Sequence, residues 1–368
     1  MDVAARRWFD SHTFDAARFG LADLLRAKRQ SADTVSVVIP ARDEAGTVAA
    51  VVSQIRQALM VTGLVDELIV LDSDSTDDTA AVARAAGATV FAARDIDTGT
   101  PVSPGKGEAL WKSLFVTNGD LLVFIDADLT EWGPHFVTGL LGPLLTDPDT
   151  LLVKGFYDRL ADDLPAEPAA SPPNAAPQGG RVTELVARPL LNLYWPELAA
   201  VVQPLAGEWA VRRSLIESLP IPVGYGVEFA SLTDTWRLHG LPAIAQVDLG
   251  RRGHRHQNVH DLGVMAAEIL ATAMRRLPLG RSGGSAQAPP GLAPPVQARD
   301  LQQYDRGTPQ GWRSRSVPVI ERPAARGNAR YRAHEQRAHE QRAHEQRAHE
   351  QRAHEQRAHE QTVTRCSS

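Results

Sequence analysis

Three observations predict an α/β protein built on a mostly parallel sheet flanked by helices. Short apolar runs at Val35–Ile39, Leu68–Leu71 and Leu121–Ile125 have the composition of strands buried on both faces. Segments of helical spacing separate those runs. The resulting β-α-β-α-β order implies right-handed crossovers and parallel strands, a Rossmann-like arrangement.

Phe14, Ala17, Leu21, Leu24 and Leu25 keep helical spacing and predict a docking helix ahead of the sheet. Val35–Ile39 is the first strand. Val48, Val51, Val52, Ile55 and Leu59 then form one helical stripe. Leu68–Leu71 is the second strand, and Thr76–Ala86 a helix that Gly87 can end in the left-handed conformation. Ala88–Phe91 and Leu121–Ile125 follow as strands around a helix from about Gly107 to Asn118. Beyond the strand Leu151–Phe156, the segment Ala161–Gly180 carries five prolines among Ala, Ser and Asn and predicts a loop or lid. Helices are expected near Thr183–Leu193, Phe229–His239 and Leu262–Leu277, the last beginning a helical C-terminal extension, with Pro278–Pro295 a second flexible stretch.

Residues 332–361 are six perfect copies of Arg-Ala-His-Glu-Gln, each electrically neutral apart from its histidine. A five-residue period turns about 500° on a helix, so no face repeats and no coiled-coil seam is specified. Either an inert polar tail or a histidine tract for metal fits that composition. The expected organisation is a helical extension over 1–30, an α/β half over 31–160, a loop over 161–180, a second half over 181–277, an extended segment over 278–331 and the polar tail over 332–368.

The 368 residues carry a net charge of −5, which gives no sign of nucleic-acid binding. The one cysteine, Cys366, excludes an internal disulfide framework. No run approaches the ~18 apolar residues of a membrane span, and the N-terminus has no apolar signal core, so a cytoplasmic protein is expected.

Three acidic loops follow three strands: Pro40-Ala-Arg-Asp-Glu44, Asp72-Ser-Asp-Ser-Thr-Asp-Asp78 and Asp126-Ala-Asp128. Parallel strands bring all three to the carboxyl edge of the sheet, where ligands bind in such folds. Two carboxylates two residues apart, with a diphosphate, make a seat for Mg²⁺ or Mn²⁺. Lys106, between Gly105 and Gly107 ahead of a helix, suits a diphosphate in charge and in backbone access. A calcium-loop reading of Asp72, Asp74 and Thr76 fails, because Asp77 stands where a glycine is needed and Ala83 where a glutamate is. Asp72–Thr76 and Asp126–Thr130 both match the Asp-x-Asp-x-Thr of haloacid-dehalogenase-type phosphatases, so a phosphatase stays open here. His254, His256 and His260 could be read as a zinc triad, but their spacing fits no helix face.

The order of these motifs resembles retaining glycosyltransferases with the A-type nucleotide-sugar fold. Gly180-Arg-Val-Thr183, Pro204-Leu-Ala-Gly-Glu208, Tyr225-Gly-Val-Glu228 and Arg252-Gly-His254 narrow the likeness to the glucosyl-3-phosphoglycerate synthases, over roughly residues 14–277. The resemblance implies transfer of glucose from UDP-glucose to the 2-hydroxyl of 3-phosphoglycerate, the first step of methylglucose lipopolysaccharide synthesis, by a homodimer built by C-terminal helices. It implies that Pro40, Ala41, Glu44, Ser73, Lys106, Asp126, Ala127, Asp128, Leu205 and Glu228 hold the nucleotide sugar. It places the metal on Asp128 and His254, the acceptor on Gly180, Arg181, Val182, Thr183, Tyr225, Arg252 and His256, and the catalytic roles on Asp128, Glu228 and Lys106. Glu208 is a further candidate for sugar hydroxyls. The chain departs from its relatives at Asp74, Ala127 and His256, where Gly, Ser and Asn are the common residues. Two further readings remain open at this point: the same fold using GDP-mannose, and a nucleotide-sugar sensor without turnover.

Overall fold

The computed structural model describes residues 2–161, 180–254, 259–277, 300–305, 307–308 and 311–341. The loop expected over 161–180, the stretch Pro278–Pro295, His256 and the tail beyond residue 341 lie almost wholly outside these residues.

In chain order the elements are α1 (Val3–His12), β1 (Thr13–Asp15), α2 (Leu21–Ser31), β2 (Val35–Ala41), α3 (Val48–Ile55), β3 (Glu67–Asp72), α4 (Thr79–Ala86), β4 (Thr89–Ala92), α5 (Lys106–Ser113) and β5 (Leu121–Phe124). They continue with α6 (His135–Thr146), β6 (Leu152–Ala161), α7 (Arg188–Tyr194), β7 (Trp209–Arg212), α8 (Arg213–Ile216), β8 (Ile221–Pro222), α9 (Val227–His239), β9 (Ile244–His254), α10 (Val259–Arg276), β10 (Leu301–Tyr304), β11 (Trp312–Arg315) and β12 (Glu321–Arg322).

Eight strands form one sheet in the order β1-β9-β6-β7-β5-β2-β3-β4. Every pairing in it is parallel except the two made by β7, which runs against β5 and β6. That reversal matters for the site, because β7 begins at the edge where its neighbours end.

Alternation along each strand sorts the core into two layers. Val35, Val37 and Ile39 of β2, with Leu121 and Val123 of β5, join the layer that holds α2, α3, α4 and α6. Val38, Leu122 and Phe124 face the opposite layer, with Trp8 of α1, Leu110 of α5, Leu191 of α7, Phe229 of α9 and Ile269 of α10. Both faces are covered, which is why these strands read as unbroken apolar runs.

The N-terminal segment departs from expectation. Phe14 lies in strand β1, whose residues Thr13–Asp15 pair with Gln246–Asp248 of β9. The open backbone groups at the sheet edge outcompete the helical spacing there, and Gln246 Nε2 donates to Thr13 Oγ1 at 2.9 Å. Trp8 Nε1 donates to the Ile244 carbonyl at 2.7 Å and docks α1 on the same strand.

The region after 300 is more structured than its composition suggests. β10 and β11 form an antiparallel hairpin, and β12 pairs with β8. Residues 329–341 are helical, so the first two pentapeptide copies extend a helix that Tyr331 anchors. Tyr331 is fully buried, stacks edge-on to Phe115 at 5.5 Å and donates its hydroxyl to Glu217 Oε2 at 2.7 Å. A His334 ring nitrogen lies 2.9 Å from the Thr117 carbonyl oxygen.

Candidate active site

The three acidic loops meet at the carboxyl edge of the sheet, but they divide the work. Asp43 and Asp77 knit the first two loops together. Thr76 N donates to Asp43 Oδ1 at 2.7 Å, and Ala45 N to Asp77 Oδ2 at 3.1 Å. The hydroxyl of Thr79 also bonds Asp77 and, with backbone donors, lowers the Asp77 carboxyl below its ordinary value. Ser73 N donates to the Ala41 carbonyl at 2.8 Å, which sets Ala41 and Ser73 side by side at the ends of β2 and β3. Pro40 and Glu44 flank them, half-buried, and Thr47 Oγ1 donates to Glu44 Oε2 at 3.1 Å. Asp72 Oδ1 is buried without a hydrogen-bond partner among the described residues, leaving an acceptor in reserve at this edge.

The third loop is the centre of a charge cluster. Asp126 Oδ1 accepts from Lys106 Nζ at 2.7 Å, and Lys106 Nζ also lies 3.0 Å from Glu228 Oε1. Arg252 Nη2 bridges the two aspartates, 3.2 Å from Asp126 Oδ2 and 2.8 Å from Asp128 Oδ1. Its other nitrogen, Nη1, donates to Tyr157 Oη at 2.7 Å and sits 3.0 Å from Glu208 Oε1. Topology explains the convergence. Asp126 and Asp128 follow β5, Tyr157 lies in β6, Arg252 lies in β9, and Glu208 immediately precedes the reversed strand β7.

These groups perturb one another strongly. Burial opposes the charge on Lys106, yet Asp126 and Glu228 outweigh it and hold the ammonium well above the ordinary lysine value. Burial alone would raise Asp126, but Lys106 and Arg252 prevail and hold its carboxyl far below the usual range. Glu208, fully buried, is pushed up by desolvation despite Arg252. A cluster of opposed, mutually perturbed charges at the edge of the sheet is a candidate functional site.

Lys106 opens α5, as the sequence suggests, but the two amides that follow it are already engaged. Gly107 N and Glu108 N donate to the carbonyls of Gly224 and Val223, at 3.3 and 2.9 Å. The loop after β8 has taken these two helix-start donors. Gly207 packs so close to Asp126 that a Cβ there would overlap the carboxylate. Leu205 and Ala127 line the same edge, half-buried and buried.

Gly180, Arg181, Val182 and Thr183 begin a helical run that continues into α7. Thr183 is buried inside that run and is not its cap, and Gly180 takes φ 79°. Tyr225 is 38% exposed between β8 and α9, one turn ahead of Glu228. His254 closes β9, two residues beyond Arg252; its side chain and all of His256 lie outside what is described. Among the described residues no group of three or more His, Cys, Asp or Glu side chains is arranged to hold a metal.

Two contributors escaped the sequence reading. Tyr157 holds Arg252 from beneath, with the guanidinium 5.3 Å from its ring centre. Lys154 is buried under the cluster, donating to the Ala206 carbonyl at 2.8 Å, and desolvation pulls it down to about 8. A lysine inside the apolar strand Leu151-Leu-Val-Lys154 was the available signal, since buried lysines are rare without a partner.

Residues 36–189 match Glycosyl transferase family 2. The glucosyl-3-phosphoglycerate synthase of Mycobacterium tuberculosis is 51% identical over 293 residues, covering 79% of this chain and 84% of that protein. The enzyme of the same name from Mycolicibacterium smegmatis is 48% identical over 277 residues, covering 75% of this chain and 88% of that protein. The crystal structure of the M. tuberculosis enzyme with Mn²⁺, UDP-glucose and phosphoglyceric acid superposes with a TM-score of 0.69, at 42% identity over 84% of this chain and 95% of that one. Identity at that level, over most of the length of both chains, places this chain in the glucosyl-3-phosphoglycerate synthase family.

Proposed function

We propose that this protein transfers glucose from UDP-glucose to the 2-hydroxyl of 3-phosphoglycerate, with retention of the α-configuration, in the cytoplasm. The observation that carries this reading is the cluster of Asp126, Asp128, Lys106, Glu228 and Arg252 at the sheet edge. Paired carboxylates beside a lysine suit a divalent cation and a diphosphate; the arginine beyond them suits an anionic acceptor.

A divalent metal fits these residues, because one guanidinium already stands across both aspartates as a surrogate cation. Asp128 and His254 are the proposed ligands of Mg²⁺ or Mn²⁺, which when bound neutralises the leaving diphosphate. Lys106 supplies further positive charge to that diphosphate, and Glu228 orients Lys106 and faces the sugar. Pro40, Ala41, Glu44, Ser73, Asp126, Ala127 and Leu205 hold the nucleotide sugar, with Asp72 offering its spare oxygen to the base. Gly180, Arg181, Val182, Thr183, Tyr225, Arg252 and His256 hold the acceptor, so that its hydroxyl meets the anomeric carbon on the face the diphosphate leaves. The bond to UDP breaks as the new glycosidic bond forms, and the hydroxyl proton passes to a donor phosphate oxygen. A homodimer is also proposed, supported by Leu270 and Met274, which α10 exposes at 38% and 52%.

Incubation of the purified protein with Mg²⁺, 3-phosphoglycerate and either UDP-glucose or GDP-mannose tests the reading by NMR of the anomeric proton. An α-glucosyl product from UDP-glucose is expected. A mannosyl product, release of inorganic phosphate, or binding of UDP-glucose without turnover would overturn it.

A further inference from the structure

The segment Gly224-Tyr225-Gly226 is pinned by helix α10 in a way the reaction alone does not explain. Glu268 Oε2 accepts from Tyr225 N at 2.5 Å, and Glu268 is only 5% exposed. Thr272, one turn further along α10, is equally buried. A Cβ on Gly224 would overlap the Glu268 carboxylate, and a Cβ on Gly226 would overlap the Thr272 hydroxyl. The two glycines on either side of Tyr225 therefore leave room for two side chains of one helix face. Among the described residues no cation pairs with the carboxylate, and burial pushes it up to about 7.

The Gly224 carbonyl, with that of Val223 just before it, accepts from Gly107 and Glu108 at the start of α5 on the donor side. Lys106 itself has independent holds in Asp126 and Glu228. Tyr225, 38% exposed, has its backbone N–H spent on Glu268, and no second hold on it is present among the described residues.

We propose that Glu268 is a positioning residue that fixes Tyr225 for the phosphorylated acceptor by accepting its backbone N–H from α10. This rests on the assignment of Tyr225 to the acceptor pocket. A buried carboxylate is a demanding choice for holding one amide, and it confers a directional anchor that a methyl group would lack. Thr272 sets the far side of the segment and leaves Tyr225 one orientation.

Two variants and two readouts test it. In Glu268→Ala the acceptor KM should rise about tenfold, with donor KM within about twofold, as expected when one buried hydrogen bond is lost at the acceptor side. Glu268→Gln keeps an acceptor oxygen and should restore most of the loss. Independently of turnover, hydrogen exchange at residues 224–226 should quicken about tenfold in Glu268→Ala and remain near wild type in Glu268→Gln. An unchanged exchange rate in folded Glu268→Ala would overturn the anchoring itself. Quickened exchange with unchanged acceptor KM, or an equal rise in both KM values, would overturn the link to the acceptor. A wild-type protein inactive toward 3-phosphoglycerate would instead overturn the functional reading, while the exchange result would still stand on its own.

Discussion

Replacing Lys106 with methionine removes the cation that joins the two acidic halves of the site. Lys106 Nζ lies 2.7 Å from Asp126 and 3.0 Å from Glu228, on side chains 19, 22 and 5% exposed. At an effective dielectric of ~20, each contact carries roughly 6 kcal/mol of gross attraction. Desolvation of the ammonium offsets most of that in the intact protein. Removal is different, because Asp126 keeps Arg252 whereas the buried Glu228 loses the only cation placed against it among the described ion pairs. Breaking a buried pair from one side costs about 3–5 kcal/mol, and the surviving Arg252 contact argues for the lower end, about 3 kcal/mol. In a chain of this size that lowers Tm by about 4–5 °C, measurable by differential scanning calorimetry. Activity should fall further than stability, by about 10²–10³ in kcat, the range seen when one preorganised charge is withdrawn from a transition state. A folded Lys106→Met protein with Tm within about 2 °C of wild type and kcat within about threefold would refute this reasoning.

Other perturbations have equally definite outcomes. Lys106 and Arg252 depress Asp126, so its contribution to stability is complete above the unfolded value near 3.9 and is lost as pH falls through the lower folded value; Asp126→Asn should flatten the acid limb of Tm measured between about pH 2 and 6. Arg252→Met frees Asp126 and Asp128 from their surrogate cation, so Mn²⁺ should bind more tightly in calorimetry while the acceptor KM rises at least about tenfold. Tyr331→Ala empties a fully buried site and removes the bond to Glu217, which should cost about 3–5 kcal/mol in denaturant unfolding and leave both KM values unchanged.

The parts of this molecule visible in its sequence are those fixed by local pattern. Leu121–Phe124 is apolar at every position because alternate residues enter two different core layers, so the run announced a central strand. Gly87 ends α4 at φ 101°, as its place after an alanine-rich helix suggested. Lys106, Asp126, Asp128, Glu228 and Arg252 were each singled out from motifs, and the fold brings all five together. What local pattern could not convey was partnership over long separations. Phe14 has helical neighbours, but pairing with a parallel strand more than 230 residues away claims it. Arg252 reads as an acceptor ligand, and nothing near it in sequence shows that it also spans the two aspartates, held by Tyr157 from another strand. The helix-start amides of Gly107 and Glu108 looked open to a diphosphate until the loop after β8 closed over them. The C-terminal segment looks structureless in sequence because its strands are short and β12 finds its partners far away: it pairs with β8, and Arg322 bonds Glu108 of α5 at 2.5 and 2.9 Å.

The central claim is that Asp126, Asp128 and Lys106 together seat a divalent cation and the diphosphate of an activated sugar. Isothermal titration of UDP into the protein with and without Mn²⁺, repeated on Asp128→Asn, tests it most directly. Binding that needs the metal in wild type, and weakens at least about tenfold in the variant, is the predicted result. Equal UDP affinity with and without Mn²⁺, or an unaltered affinity in Asp128→Asn, would contradict it.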